Sequence, residues 1–201
     1  FSIEAKVKNI NSIANQIASL NRQIYSNEID GRSANDLRDR RDLLVDDLSQ
    51  IVNVKTDESK DGKYRVSISG VSIVDHIHVS EVKLNKDKDS GEIGLEWSNE
   101  SKVNLKSGEL KGLLELYNGD GKNNSYRGIP YYQRKLDDFA KGFAEKFNKQ
   151  HSEGYGLDGK TKIEFFTFDD TKGIAATITL HNDILTDLKN TNSLNHCMLN
   201  F

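Results

Sequence analysis

The first thirty residues carry apolar side chains at helical spacing. Ile3, Val7, Ile10, Ala14, Ile17, Asn21 and Ile24 recur at intervals of 4-3-4-3-4-3, and Ile13 and Leu20 widen the stripe. No Gly or Pro interrupts the run before Gly31, so the pattern predicts one long amphipathic helix with a heptad-like seam. Asn21 on that seam favours one register at a cost in stability. Glu28 and Asp30 oppose the helix macrodipole, which predicts fraying after Tyr25. A brief turn at Asp30-Gly31-Arg32 follows, with Ser33 and Asp36 as a capping-box variant and Asn35 as a competing cap. Leu37, Arg41, Leu44, Leu48 and Ile51 then repeat at 4-3-4-3, with Val45 and Val52 alongside. Two helices joined by so short a loop pack antiparallel, as an αα-hairpin.

After Val52 the period changes to two. Val52/Val54, Tyr64/Val66/Ile68, Val71/Ile73, Ile77/Val79, Val82/Leu84, Ile93/Leu95/Trp97 and Val103/Leu105 alternate with mostly polar neighbours. Asp61-Gly62, Gly70 and Asp89-Ser90-Gly91 punctuate them, which predicts a small antiparallel sheet with one solvated face. Helical spacing returns at Leu110, Leu113, Leu114 and Tyr117. A Gly/Asn-rich loop runs over 118–128, and Pro130 stands where a helix starts. Tyr132, Leu136, Phe139, Phe143 and Phe147, with Ala140 and Ala144, predict a third long amphipathic helix to about Gln150. Ile163 to Phe168 and Ala175 to Leu180 read as strands, and Ile184, Leu185 and Leu188 as a short helix. No structure is assigned beyond Asn190.

This order predicts an α+β fold, an elongated antiparallel helical bundle with an inserted small antiparallel β domain projecting outward. The expected divisions are an N-terminal αα-hairpin over 1–52, a β-rich insertion over 53–106, returning helices over 107–152, and a short β pair with an irregular tail over 153–201.

Composition narrows the function. Against 31 acidic residues stand 28 Lys and Arg, for a net charge of −3, which argues against a nucleic-acid partner. No apolar run is long enough for a membrane span. The single cysteine, Cys197, cannot form an internal disulfide. The chain opens at Phe1 and its only methionine is Met198, so it reads as a piece of a longer protein, and no cleavable secretory leader opens it.

Candidate chemistry is sparse. Gly154-Tyr155-Gly156-Leu157-Asp158-Gly159-Lys160-Thr161 matches the phosphate-cradling pattern G-x-x-x-x-G-K-[ST]. That pattern works where a strand feeds the loop and a helix leaves it, and here a helix enters and β-like sequence leaves. A nucleotide-binding enzyme is therefore the rival reading, and a Gly-rich connector the better one. His76 and His78 share a strand face if the strand runs through both, without a third ligand at metal spacing. His196-Cys197 has no positioned base beside it. Asp87-Lys88-Asp89-Ser90-Gly91 has Glu92 where a calcium loop needs Gly and Ser98 where it needs Glu. Asp46-Asp47, Asp137-Asp138 and Asp169-Asp170 are sequence neighbours and do not face one another across a substrate. No cofactor and no catalytic residue is expected. Trp97 and Tyr64 leave a surface glycan-binding or adhesion module as a further alternative.

The most informative cluster lies on the second helix. Arg41 occupies a seam position between Leu37 and Leu44, where an apolar residue is expected. It either snorkels to solvent or makes a contact fixing how helices or subunits register. Leu37, Asp39, Arg41, Asp42, Leu44 and Leu48 are the candidate packing and assembly contacts.

The run Leu37 to Val54 resembles the second helix of the bacterial flagellar hook-associated protein 1 family, the hook–filament junction proteins. Asn15 to Asn21 is similar to a preceding N-x-I-x-x-L-N helix of that family, and Tyr64 to Val74 to its hairpin. Ser107-Gly108-Glu109-Leu110-Lys111-Gly112-Leu113-Leu114 resembles an S-G-x-L-x-G-x-L element. Phe143-Ala144-Glu145-Lys146-Phe147-Asn148-Lys149-Gln150-His151 with Gly154-Tyr155 resembles F-A-x-x-F-N-x-Q-H-x-x-G-[YF]. These stretches fall in the family's order and cover most of residues 1 to 180, without the terminal polymerisation helices. The resemblance implies a structural, non-catalytic protein outside the cell. It would be exported by the flagellar type III machinery with its chaperone, and would form a helical ring of its own copies between the hook protein and the next hook-associated protein.

Overall fold

The computed structural model describes residues 2–187 apart from 30, 32, 89, 124, 158 and 160. The chain divides into two compact units, with the division between Gly128 and Ile129.

The first unit is built on one helix. α1 spans Ser2–Ile29 and α2 spans Asn35–Ile51. α1 outlasts the expected fraying point at Tyr25, because Arg38 of α2 pairs with the Glu28 carboxylate at 2.8 Å and offsets its unfavourable place at a helix C-terminus. The expected capping box is replaced. Ala34 holds the N-cap position of α2 without a side-chain bond, and Ser33 Oγ donates to Asn35 Oδ1 instead. Val52 closes α2 as its C-cap and is buried there, so it does not open a strand.

Four strands follow as one antiparallel sheet in the order β1-β2-β3-β4: β1 Val54–Glu58, β2 Tyr64–Ile68, β3 Val71–Asp75 and β4 His78–Val79. Val54 lies opposite Ile68 and Glu58 opposite Tyr64, and a bulge interrupts the β2–β3 pairing between Val66 and Ser67. β5 Val82–Lys86 and β6 Ile93–Trp97 form a separate antiparallel pair. Val103 and Leu105 do not extend it as a strand; Val103 N–H donates to Leu95 O, and Glu96 and Lys102 form one isolated bridge. α3, Glu109–Asn118, closes the unit.

The core runs along α1. Val7, Ile10, Ile13, Ala14, Ile17 and Ala18 are buried in one cluster with Leu48, Ile51 and Val52 of the α2 end, Val66, Ile68, Ile73 and Val74 of the sheet, Val82, Leu95 and Trp97 of the β5–β6 pair, and Leu110 of α3. The β segment therefore folds back onto α1, against the expectation that it projects outward. The α1 stripe is wide enough to require this, since α2 alone cannot cover both Ile10/Ile17 and Ile13/Ala18.

Asparagine side chains dock helices onto strand backbones. Asn11 of α1 accepts from Val82 N–H at 3.0 Å and donates to Val82 O at 2.8 Å. Asn118 at the end of α3 does the same for Ile93, at 3.0 and 2.7 Å. Each amide satisfies both polar groups of one strand residue, as a neighbouring strand would.

The second unit begins with α4, Ile129–Ser152, which opens one residue before Pro130. β7 Phe166–Thr167 pairs antiparallel with β8 Thr179–Leu180, separated by a short helix α5, Ile174–Thr177, and followed by α6, Asn182–Thr186. The strand expected over Ala175 to Leu180 is thus half helix. Asp137 of α4 accepts from Ala175 N–H at 2.7 Å and anchors that turn. Asn148 of α4 accepts from Phe165 and Phe166 N–H at 3.0 and 2.8 Å and donates to Phe166 O at 2.8 Å. The expected helix at Ile184 and Leu185 is α6; Leu188, expected to continue it, and the tail with His196-Cys197 lie outside the described residues.

The backbone of Gly108 passes close against the end of α2. A Cβ there would lie 2.5 Å from Ile51 O, and the residue sits at φ +103°. Gly108→Ala is expected to destabilise the first unit by at least about 2 kcal/mol, and Leu48→Ala by about 2–5 kcal/mol, read by urea unfolding.

Candidate assembly surface and the Arg41 junction

The six residues singled out on α2 divide between its inner and outer faces. Leu48 is fully buried, Leu37 and Leu44 are half-buried, and Asp39 and Asp42 are exposed. Arg41 does not snorkel; it is 3 % exposed. Its guanidinium carbon lies 3.6 Å from the centre of the Tyr64 ring on β2, a stacked cation–π contact in a desolvated place. Its nitrogens reach Glu58 of β1, Asn21 of α1 and Asp42 of its own helix, each at 3.5 Å. Asn21, the polar seam residue, in turn donates to His76 O at 2.7 Å. Both polar interruptions of the two seams thus belong to one junction where α1, α2 and the sheet meet.

Arg38 extends this junction to the hairpin turn. Its Nε and Nη2 donate to the Glu28 carboxylate, both at 2.8 Å, and its Nη1 donates to Glu58 at 2.9 Å. This forked geometry suits a guanidinium and not an ammonium. The Arg38 hydrogen bonds hold the Glu28 carboxyl below its ordinary range, and Glu28 in turn pushes the Arg38 guanidinium up. Burial raises the Tyr64 phenol. Sequence reading missed Arg38, Glu28 and Glu58 as partners, because no periodic pattern marks a contact between a helix end and a strand end.

Outside the junction, α2 presents Leu43, 63 % exposed, beside Leu44 and Leu20. With Gln16, Ser19 and Arg40 they line a shallow apolar groove between α1 and α2.

The other chemical candidates fall apart. A helix, α4, enters the Gly154–Thr161 segment and β7 follows it, so no helix N-terminus there aims amides at a phosphate; Asp158 and Lys160 lie outside the described residues. His76 is not on a strand: it occupies the β3–β4 turn at φ 56°, against Tyr25, while His78 is on β4 and exposed. Among the described residues no group of three metal-ligating side chains converges. Asp87 Oδ1 accepts from Ser90 N–H and Oγ, closing a plain turn. Trp97 and Tyr64 are buried in the core, so neither offers a face to a glycan. Among the described residues no helix is long and apolar enough to cross a membrane.

A family model described as the flagellar hook-associated protein FlgK helical domain matches residues 1–166. The chain belongs to that family. It is 30% identical to flagellar hook-associated protein 1 of Bacillus subtilis, over 91% of this chain and 41% of that protein. It is also 30% identical to the Salmonella typhimurium protein of the same name, over 83% of this chain and 31% of that protein. The solved structure of the flagellar hook junction protein FlgK from Burkholderia pseudomallei superposes with a TM-score of 0.64 at 26% identity, covering 84% of this chain and 31% of that one. The chain therefore spans less than half the length of these relatives. The α+β fold, helices with small antiparallel sheets, is that of the FlgK structure.

Two outcomes test the junction. Arg41→Ala is expected to destabilise the first unit by about 2–3 kcal/mol in urea unfolding, with Arg41→Lys recovering only part of it; a loss within error would remove the junction from the account. The Glu28 carboxyl sits below its ordinary 4.5 when folded, so its contribution is complete above that value and is lost as pH falls through the lowered one. The fall in unfolding midpoint between about pH 6 and about pH 3 is expected to be smaller in Glu28→Gln than in the parent.

Proposed function

We propose that the chain is the helical-domain portion of a hook–filament junction subunit, a structural component of the bacterial flagellum without a catalytic role. The family match over residues 1–166 carries this reading. On this reading the subunit assembles with its own copies in a helical ring, with the hook protein on one side and the next hook-associated protein on the other. It leaves the cell through the flagellar type III export machinery with its chaperone.

A helical ring requires heterologous contacts, in which different surfaces of successive copies meet. We assign the outer face of α2 to such a contact: Asp39, Asp42, Leu43 and the exposed edge of Leu44, with the groove toward Leu20. Arg41 and Leu48 serve that face from within, by fixing the position of α2 on α1 and the sheet.

The test uses the full-length protein in a strain lacking it. Leu43→Asp is expected to leave unfolding within about 0.5 kcal/mol of the parent, since the side chain is largely exposed. It is expected to reduce filament attachment and swimming. Normal motility in the Leu43→Asp, Leu44→Asp double variant would take the contact off this face, and normal motility in the strain lacking the protein altogether would refute the junction role.

A further inference from the structure

Two strands of the first unit leave an edge unpaired. In β1, the register with β2 and the bonds from Ser59 N–H to Lys63 O and from His76 N–H to Tyr64 O fix which residues face inward. Lys55 and Asp57 bond β2, so Thr56 and Glu58 turn their N–H and C=O groups away from the sheet. β5 has the same phase. Asp87 N–H donates to Glu92 O, and the asparagine clamps hold Val82 and Ile93 from outside the pair. Leu84 and Lys86 therefore direct their backbone groups outward. Among the described residues these outward groups of Thr56, Glu58, Leu84 and Lys86 have no partner. An edge of this kind is a template for another strand.

The two edges differ in charge. A groove of about 450 Å³ runs between β1 and α2, with Asp42, Asp46, Thr56 and Glu58 on its walls. Asp57 is exposed on the other face of the strand. β5 carries Lys83 and Lys86, both exposed and without an ion-pair partner among the described residues. Charges on an edge strand deter general pairing. Here they also select, because β1 repels a second acidic edge and accepts a basic one. Neither strand carries a proline or a bulge that would bar an added neighbour.

We propose that β5 of one copy adds antiparallel to β1 of the next, extending the four-stranded sheet across the contact between subunits. Thr56 stands opposite Lys86 and Glu58 opposite Leu84, and each of these pairs exchanges its backbone hydrogen bonds. Lys86 then reaches the groove lined by Asp46 and Glu58, and Lys83 lies diagonal to Asp57 on the other face. The two surfaces are different, so the contact repeats from copy to copy and does not close as a dimer. It rests on the ring reading above, and it adjoins the assigned α2 face through Asp42.

Hook–filament assemblies from a strain lacking the protein, complemented with full-length variants, test this. In the proposed register Asp57 and Asn85 face each other at a Cα separation of about 4.5 Å, within disulfide reach. In a Cys197→Ser background, mild oxidation of the Asp57→Cys, Asn85→Cys double variant is expected to give a ladder of covalent dimers and higher oligomers. That ladder is expected at least about tenfold above either single variant. Lys83→Glu with Lys86→Glu is expected to lower the number of attached filaments at least about fivefold, with the unfolding midpoint of the purified protein unchanged. Adding Asp46→Lys and Asp57→Lys to that chain is expected to restore attachment. No ladder while filaments stay attached, a single-cysteine ladder equal to the double, or a charge swap that restores nothing would each overturn the strand contact and leave the ring reading standing. Attached filaments in the strain without the protein would overturn both.

Discussion

The first unit depends on keeping α1 dry along most of its length. A helix of 28 residues is not held by intrinsic propensity, because nucleation is costly and propagation in water is only marginally favourable. Burial of Val7, Ile10, Ile13, Ala14, Ile17, Ala18 and Ile24 holds it, each of the larger side chains contributing about 1.5–3 kcal/mol when removed from water. No single neighbour can cover so broad a stripe. α2 takes one side, the four-stranded sheet and the β5–β6 pair take another, and α3 closes the start. Every element of the unit is placed by what it must cover.

The same constraint explains what was legible in the sequence. Helices appear in their residues because the 3.6 period is local, and α1, α2, α3 and α4 all lie close to where spacing put them. Strands appear as alternation, and β2, β3, β5 and β6 were readable. Partnership between elements was not readable. Tyr64 alternates correctly as a strand residue, but nothing local announces that an arginine lies on its ring. The aromatic stripe of α4 had the right period, yet Tyr132, Leu136, Phe139 and Phe143 are exposed in the second unit, because a period records which positions share a face and not what lies against it.

Polar residues on apolar seams were the most useful irregularities. Asn21 and Arg41 each break a stripe, and the fold unites them with Glu58, His76 and Tyr64 in one junction. Arg41 was read as either a solvent-reaching side chain or a register contact, and its burial removes the first of these. Asp39 and Asp42, marked with it, share its helix and not its environment. The distinction was invisible in spacing because Asp42 is adjacent to Arg41 in sequence and points about 100° away around the helix.

The asparagine clamps carry a chemical consequence. Asn118 precedes Gly119, a pair in which the side-chain amide is attacked by the next backbone nitrogen to give a succinimide and then aspartate. In the fold that nitrogen donates to Glu115 O at 2.8 Å, while the amide itself is engaged at both ends by Ile93, so both reacting groups are already committed to hydrogen bonds. A chain kept extended has no such protection. Once Asn118 ages to aspartate, its side chain presents an oxygen to the Ile93 carbonyl in place of a donor, and the clamp between α3 and β6 loses one of its two hydrogen bonds. Folding therefore acts as a preservative for the amide that folding requires.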